Sequence, residues 1–188
     1  GLCSAVNAML WITFSPINTV TQAFFGINAA KVNSLSIVYM AAYVPFSLVS
    51  NWFFLRFGNR AGMVLGSGLN LLSAVVRLLA AESNDGPRSN GFAILLLGQS
   101  IGAIAQPLLT NMPAKVAAVW FPVAERDIAT VICALFNPVG IAVGSIVPTI
   151  FVAPDQSSIR MFDLLLMETI VGAVVLGLVF VFFRDKPP

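Results

Sequence analysis

Charge is what this sequence has least of. Asp, Glu, Lys and Arg make up 10% of its 188 residues, where a soluble domain carries about 25%. Hydrophobic residues make up 58%, and the mean hydropathy is +0.91. A core of this size cannot hide so much apolar surface from water, so lipid is the solvent that fits. The net charge of +2 is too small and too dispersed for a nucleic-acid footprint. Histidine is absent, which removes the usual general base, zinc ligand and proximal haem ligand. Cys3 and Cys133 have no metal-type spacing and read as membrane-buried thiols, so neither metal nor cofactor is expected. There is no Asn-x-Ser/Thr sequon and no nucleophile–base constellation, which leaves a membrane enzyme the least favoured class. The opening Gly1-Leu-Cys-Ser has neither an initiator Met nor a basic region, so these residues are not expected to act as a signal peptide. A chain that starts inside a hydrophobic segment and ends on a charged exit is expected to be a fragment of a longer protein.

What is present is a series of apolar stretches. A spanning helix needs about 20 apolar residues, and charges with Gly, Pro and Asn clusters divide the chain into six. The expected spans are 1–24, 33–55, 61–81, 92–119, 128–152 and 164–183. Polar loops are expected at 82–91 and 154–158. The fold class is therefore an all-α membrane bundle. If the first span starts in the cytoplasm, Arg56, Arg60, Lys115, Arg126, Arg184 and Lys186 lie inside, against Lys31, Arg88 and Arg160 outside. That imbalance favours both ends being cytoplasmic. Arg77 falls near the outer end of span three, and Glu168 near the outer end of span six. With no Asp or Glu in the middle of any span, the sequence favours uncoupled passage over a proton or sodium site.

Small residues four apart let helices approach closely in lipid. The pairs Gly62–Gly66, Gly98–Gly102 and Gly140–Gly144 are candidates for such contacts. Polar residues within spans are costly against lipid and tend to face a cavity or a neighbouring helix. In span one, Asn7, Trp11, Ser15, Asn18 and Gln22 follow at spacings of four, four, three and four, which is one helical face. Gln99, Gln106 and Thr110 repeat the pattern in span four, and Asn70, Ser73 and Arg77 do so in span three. Tyr39, Tyr43 and Ser47 come from span two, and Asn137 from span five. Two readings stand: a polar pathway with an aromatic wall, or hydrogen bonds that only hold the bundle. Trp52 and Trp120 fit the interfacial aromatic belt. Trp11 lies mid-span, where an indole face suits a cation such as a quaternary ammonium, with Tyr39 and Tyr43 as further faces. Packing of Trp11 against another helix is the alternative.

The turn Arg56-Phe-Gly-Asn-Arg60 resembles the second half of the signature loop of the major facilitator superfamily. Leu55 stands where the usual acidic residue would fall. A wider set also fits one family: Asn7-Ala-Met-Leu-Trp11, Tyr39-Met-Ala-Ala-Tyr-Val-Pro45, Gly98-Gln99, Ala105-Gln106, Met112-Pro-Ala-Lys-Val-Ala-Ala-Val-Trp-Phe121 and Asn137-Pro-Val-Gly140. Together they resemble solute carrier family 49, the feline leukaemia virus subgroup C receptor-related transporters, over nearly the whole chain. Phe14-Ser-Pro-Ile17, Trp120-Phe-Pro122 and Asn137-Pro138 look closer to that family's less characterised branch. The resemblance implies the N-terminal six-helix half of a transporter whose C-terminal half lies outside this sequence. It implies choline or ethanolamine as the small-molecule substrate, with the ammonium over Trp11 and Gln106 nearby. Asn7, Tyr39, Tyr43 and Asn137 are the further candidate ligands, and Arg56, Gly58 and Arg60 a gating loop. Haem or another amphipathic metabolite is the alternative cargo, and a receptor or assembly subunit without transport is the alternative of another class. The plasma membrane is the expected location, with lysosomal and mitochondrial membranes as alternatives.

Overall fold

The computed structural model describes residues 1–83, 86–151 and 160–184. The expected loop at 154–158, the last residue of span five and Lys186 lie outside them. The fold is helical: α1 (Leu2–Ile12), α2 (Asn18–Phe25), α3 (Ala29–Leu78), α4 (Gly91–Thr110), α5 (Met112–Trp120), α6 (Arg126–Phe151) and α7 (Met161–Phe182). Among the described residues, four helical stretches are long and apolar enough to cross a membrane: Ala29–Leu78, Gly91–Trp120, Val123–Phe151 and Met161–Phe182. The chain is an integral membrane protein. Large apolar side chains on its outside, such as Val131, Ile146 and Phe182, have lipid as their natural neighbour.

Span one is not the continuous helix expected over 1–24. It stops at Ile12 and resumes at Asn18. Pro16 lacks an N–H and drives Ser15 out of the helical region, so the ladder cannot run through. This break also undoes the single polar face drawn through Asn7, Trp11, Ser15, Asn18 and Gln22. The first two residues lie on α1, Ser15 lies in the break, and Asn18 and Gln22 bond to each other on α2 at 2.6 Å. Spans two and three are joined with no loop between them. Gly58 alone interrupts α3, at φ 82° and ψ 176°, a region open essentially to glycine only. Phe54 lies against Gly62, and Tyr39 meets Ser73 at Gly102, so the two arms of α3 fold back side by side about Gly58. Span four divides at Asn111 into α4 and α5. The stretch expected to be only a polar loop after span three carries a short antiparallel ladder, Ala81–Ser83 with Gly86–Pro87.

The glycine pairs all lie at contacts. A Cβ on Gly98 would come within 2.6 Å of Arg77 Cγ, and one on Gly66 within 2.7 Å of Leu109 Cδ2. On α6, a Cβ on Gly140 would strike Ala5 O, and one on Gly144 would lie 2.8 Å from the Cα of Met9. These last two atoms are backbone, so α1 and α6 touch main chain to main chain. Two apolar clusters fill the interior at opposite ends. One contains Phe14, Phe24, Leu35, Leu95 and Leu164, and the other Leu10, Phe54, Met63, Leu108 and Val175. Lys115 Nζ lies 4.9 Å from the ring of Phe54, near the Gly58 turn, whereas Lys31 lies 5.4 Å from the ring of Phe92 in the other half. Lys115 and Lys31, assigned to opposite sides, thus lie in different halves of the bundle.

Gly140→Ala is expected to lower the stability of the purified protein by about 1–3 kcal/mol through overpacking against α1. Gly68→Ala, where a Cβ meets nothing within 4 Å, should leave it unchanged or raised. Thermal melts in detergent check both. Gly58→Ala should cost a further about 1–3 kcal/mol through its backbone conformation alone, and a melting point equal to that of the unsubstituted protein would contradict the reading of the turn.

Candidate functional site

Four of the six residues singled out as ligands meet in one place. Trp11, Tyr39, Met40, Tyr43 and Gln106 line a recess of about 280 Å³. Trp11 comes from the last turn of α1, the tyrosines and Met40 from the first arm of α3, and Gln106 from α4 just before Pro107. Tyr39 and Tyr43 are one helical turn apart and so share a face. Tyr39 is fully buried, and its hydroxyl occupies the space that a side chain on Gly102 would take, beside Ser73 Oγ. Glycine at 102 is therefore what admits the tyrosine ring. Tyr43 is 36% exposed, and Trp11 and Gln106 are half-buried. The indole N–H of Trp11 donates to Ser36 O at 3.2 Å. That bond fixes the ring against α3 and commits its one polar atom. What Trp11 offers a ligand is its π face. The recess thus combines aromatic faces, a thioether and one amide, which suits a small cation with an apolar surround.

Asn7 lies elsewhere. It is fully buried, and its Nδ2 donates to Asn70 Oδ1 at 2.7 Å and to Gly102 O at 3.0 Å. Asn70 in turn donates to Cys3 O at 3.2 Å. These bonds tie α1 to α3 and α4. Asn137 is half-buried on α6 and does not line the recess. Arg56 and Arg60 are exposed on either side of the Gly58 turn, in the half of the bundle marked by Phe54. They do not line the recess either.

Met40 was not legible as a site residue, since a methionine in an apolar span carries no polar signal. A larger omission concerns Arg77 and Glu168. Arg77 is in the last turn of α3, near the span end as expected, but it is fully buried. Glu168 lies two turns into α7, which starts at Met161 rather than at 164. The two side chains form an ion pair at 2.9 Å, with side-chain exposures of 0% and 2%. Arg77 Nη1 also donates to Leu10 O at 3.1 Å, and its guanidinium lies 4.8 Å from the centre of the Phe14 ring. The Thr13 hydroxyl, with one proton to give, is within hydrogen-bond reach of both Met9 O, at 2.7 Å, and the Glu168 carboxylate. The available signal was one arginine and one glutamate in separate apolar spans, a combination that calls for a partner.

The whole chain, residues 1–188, matches the family model described as Major Facilitator Superfamily. It is 34% identical over 176 residues to solute carrier family 49 member A3 of Xenopus tropicalis, covering 93% of this chain and 36% of that protein. It is 32% identical over 189 residues to the choline/ethanolamine transporter FLVCR2 of Homo sapiens, covering 98% and 35%. With the choline/ethanolamine transporter FLVCR1 of Felis catus the identity is 34% over 158 residues, covering 84% and 27%. The chain spans about a third of the length of these relatives.

Asn7→Ala separates the hydrogen-bond network from the recess. It leaves Asn70 Oδ1 and Gly102 O without the Asn7 donor and should cost about 1–3 kcal/mol of stability. A thermal melt that is unchanged, alongside a loss of ligand affinity, would move Asn7 from the scaffold to the ligand set.

Proposed function

Because the chain belongs to the major facilitator superfamily, in its solute carrier family 49 branch, we propose that it is the N-terminal six-helix half of a plasma-membrane transporter for a small organic cation. The cation is of the choline or ethanolamine kind, and rocking of this half against a C-terminal half alternates its access. Six crossings follow if α1 and α2 form one broken span, the arms of α3 two, α4 with α5 one, and α6 and α7 one each. The length of α3 supports this count: 50 residues of helix would extend about 75 Å, over twice the roughly 30 Å of a hydrocarbon core. The exposed stripe Met40, Val44 and Leu48 beside the recess is the surface for the second half. The Arg56–Arg60 turn is the cytoplasmic gate.

The observation that carries the substrate reading is the Trp11 recess. Its indole N–H is already bonded to Ser36 O, so a ligand meets the ring face, and ring faces attract ammonium groups by about 0.5–2 kcal/mol each. Gln106 supplies an amide for a hydroxyl on the same ligand. Two of the relatives are named choline/ethanolamine transporters, which supports the same cargo. The family is one of transporters rather than enzymes.

Trp11→Ala should reduce choline uptake about tenfold or more, corresponding to roughly 1.4 kcal/mol of lost binding, and Trp11→Phe should retain an intermediate level. Radiolabelled choline uptake by cells expressing the complete transporter measures both. Absence of uptake by the unsubstituted protein, with surface expression confirmed, would remove choline as the cargo.

A further inference from the structure

The end of α1 is held from three sides. Helix termini leave their last carbonyls without in-helix donors, and Pro16 forces that situation on α1 inside the bundle. Arg77, from the second arm of α3, answers Leu10 O at 3.1 Å. Glu168, from α7, takes the hydroxyl of Thr13, the first residue past the helix. Phe14 lies with its ring 4.8 Å from the Arg77 guanidinium. The two charges join at 2.9 Å, sealed from solvent. Residues 10, 13 and 14 are thereby fixed, and Trp11 lies between them. The other restraint on Trp11 is its bond to Ser36 O on the first arm of α3.

We propose that the Arg77–Glu168 pair positions the recess: it fixes the last turn of α1 and through it the ring of Trp11 toward Tyr43 and Gln106. A buried ion pair is weak evidence for stability, since apolar replacements of both partners are often neutral or stabilising. What such a replacement cannot reproduce here is the donor to Leu10 O and the acceptor for Thr13. Those two bonds act on backbone and side chain next to the recess rather than on general packing. Neither Arg77 nor Glu168 lines the recess, so each acts through Trp11. The consequence for transport rests on the reading of Trp11 as the cation site, whereas the consequence for the ring does not.

The test uses the complete transporter with Trp11 as its single tryptophan, every other one, including Trp52 and Trp120, being replaced by Phe. Arg77→Met/Glu168→Leu removes both charges together. Thr13→Val removes only the hydroxyl and keeps the pair. Emission maximum and acrylamide quenching of Trp11 are read first, then KM and Vmax for choline uptake. Both variants are expected to purify as monodisperse protein with a red-shifted, more quenchable Trp11. KM should rise about tenfold for the double variant, the scale of one lost cation–π face, with Vmax changed far less. A folded double variant with unchanged Trp11 emission and quenching overturns the proposal, whether or not the protein takes up choline. If the double variant does not fold, Thr13→Val decides by the same spectral criterion. A protein that shows the Trp11 shift but no choline uptake loses the choline reading and keeps the positioning role.

Discussion

Lipid offers helices no hydrophobic reason to associate, and this bundle depends on what takes the place of that force. Two contacts do so here. One is main-chain approach at glycine, where Gly140 and Gly144 let α6 lie against Ala5 and Met9 of α1. The other is the pairing of polar side chains across helices, from Asn7–Asn70 to Arg77–Glu168. Both converge on α1. It is only 11 residues long, yet it meets α6 through glycines, α3 and α4 through Asn7, and α7 through Thr13. A helix that short and broken would have no reason to stay in register without those bonds. Its register is what brings Trp11 to the recess.

The charge pair has a logic of its own. Two ions cost several kcal/mol each to bury, and removing one partner leaves the other uncompensated, at about 3–5 kcal/mol. Arg77 recovers part of that cost through Leu10 O and the Phe14 ring, and Glu168 through Thr13. All three of these partners come from residues 10–14, around the end of α1. The break at Pro16 thus creates the need for donors and acceptors that the ion pair meets. Neither feature is intelligible without the other.

Much of this was legible in the residues. The apolar stretches and the glycine pairs follow from composition and spacing, because lipid imposes simple rules on each. Trp11, Tyr39, Tyr43 and Gln106 were named as a group and line one recess. What could not be read was the identity of the opposing surface. Asn7 and Trp11 are four residues apart on the same helical face, yet Asn7 meets Asn70 and Gly102 while Trp11 meets Ser36 and open space. Periodicity fixes a direction from the helix axis and says nothing of what stands there. Nor did spacing reveal that the face ended at Ile12, although Pro16 was in view. The ion pair escaped for a related reason: Arg77 and Glu168 are 91 residues apart in sequence, and assigning each to a span end removed the need for a partner.

The division of polar groups between scaffold and recess also bears on how the proposed site would work. Among the described residues, Glu168 is the carboxylate buried within a helix of the bundle, and it is committed to Arg77. A cation entering the recess meets rings and an amide rather than that carboxylate. Several aromatic faces at about 0.5–2 kcal/mol each provide recognition without the deep well that a desolvated ion pair would create. A carrier must release its cargo on the far side, so moderate affinity serves it better than tight binding. Placing the full charge in the scaffold, one step behind Trp11, lets electrostatics set the geometry of the site without holding the ligand there.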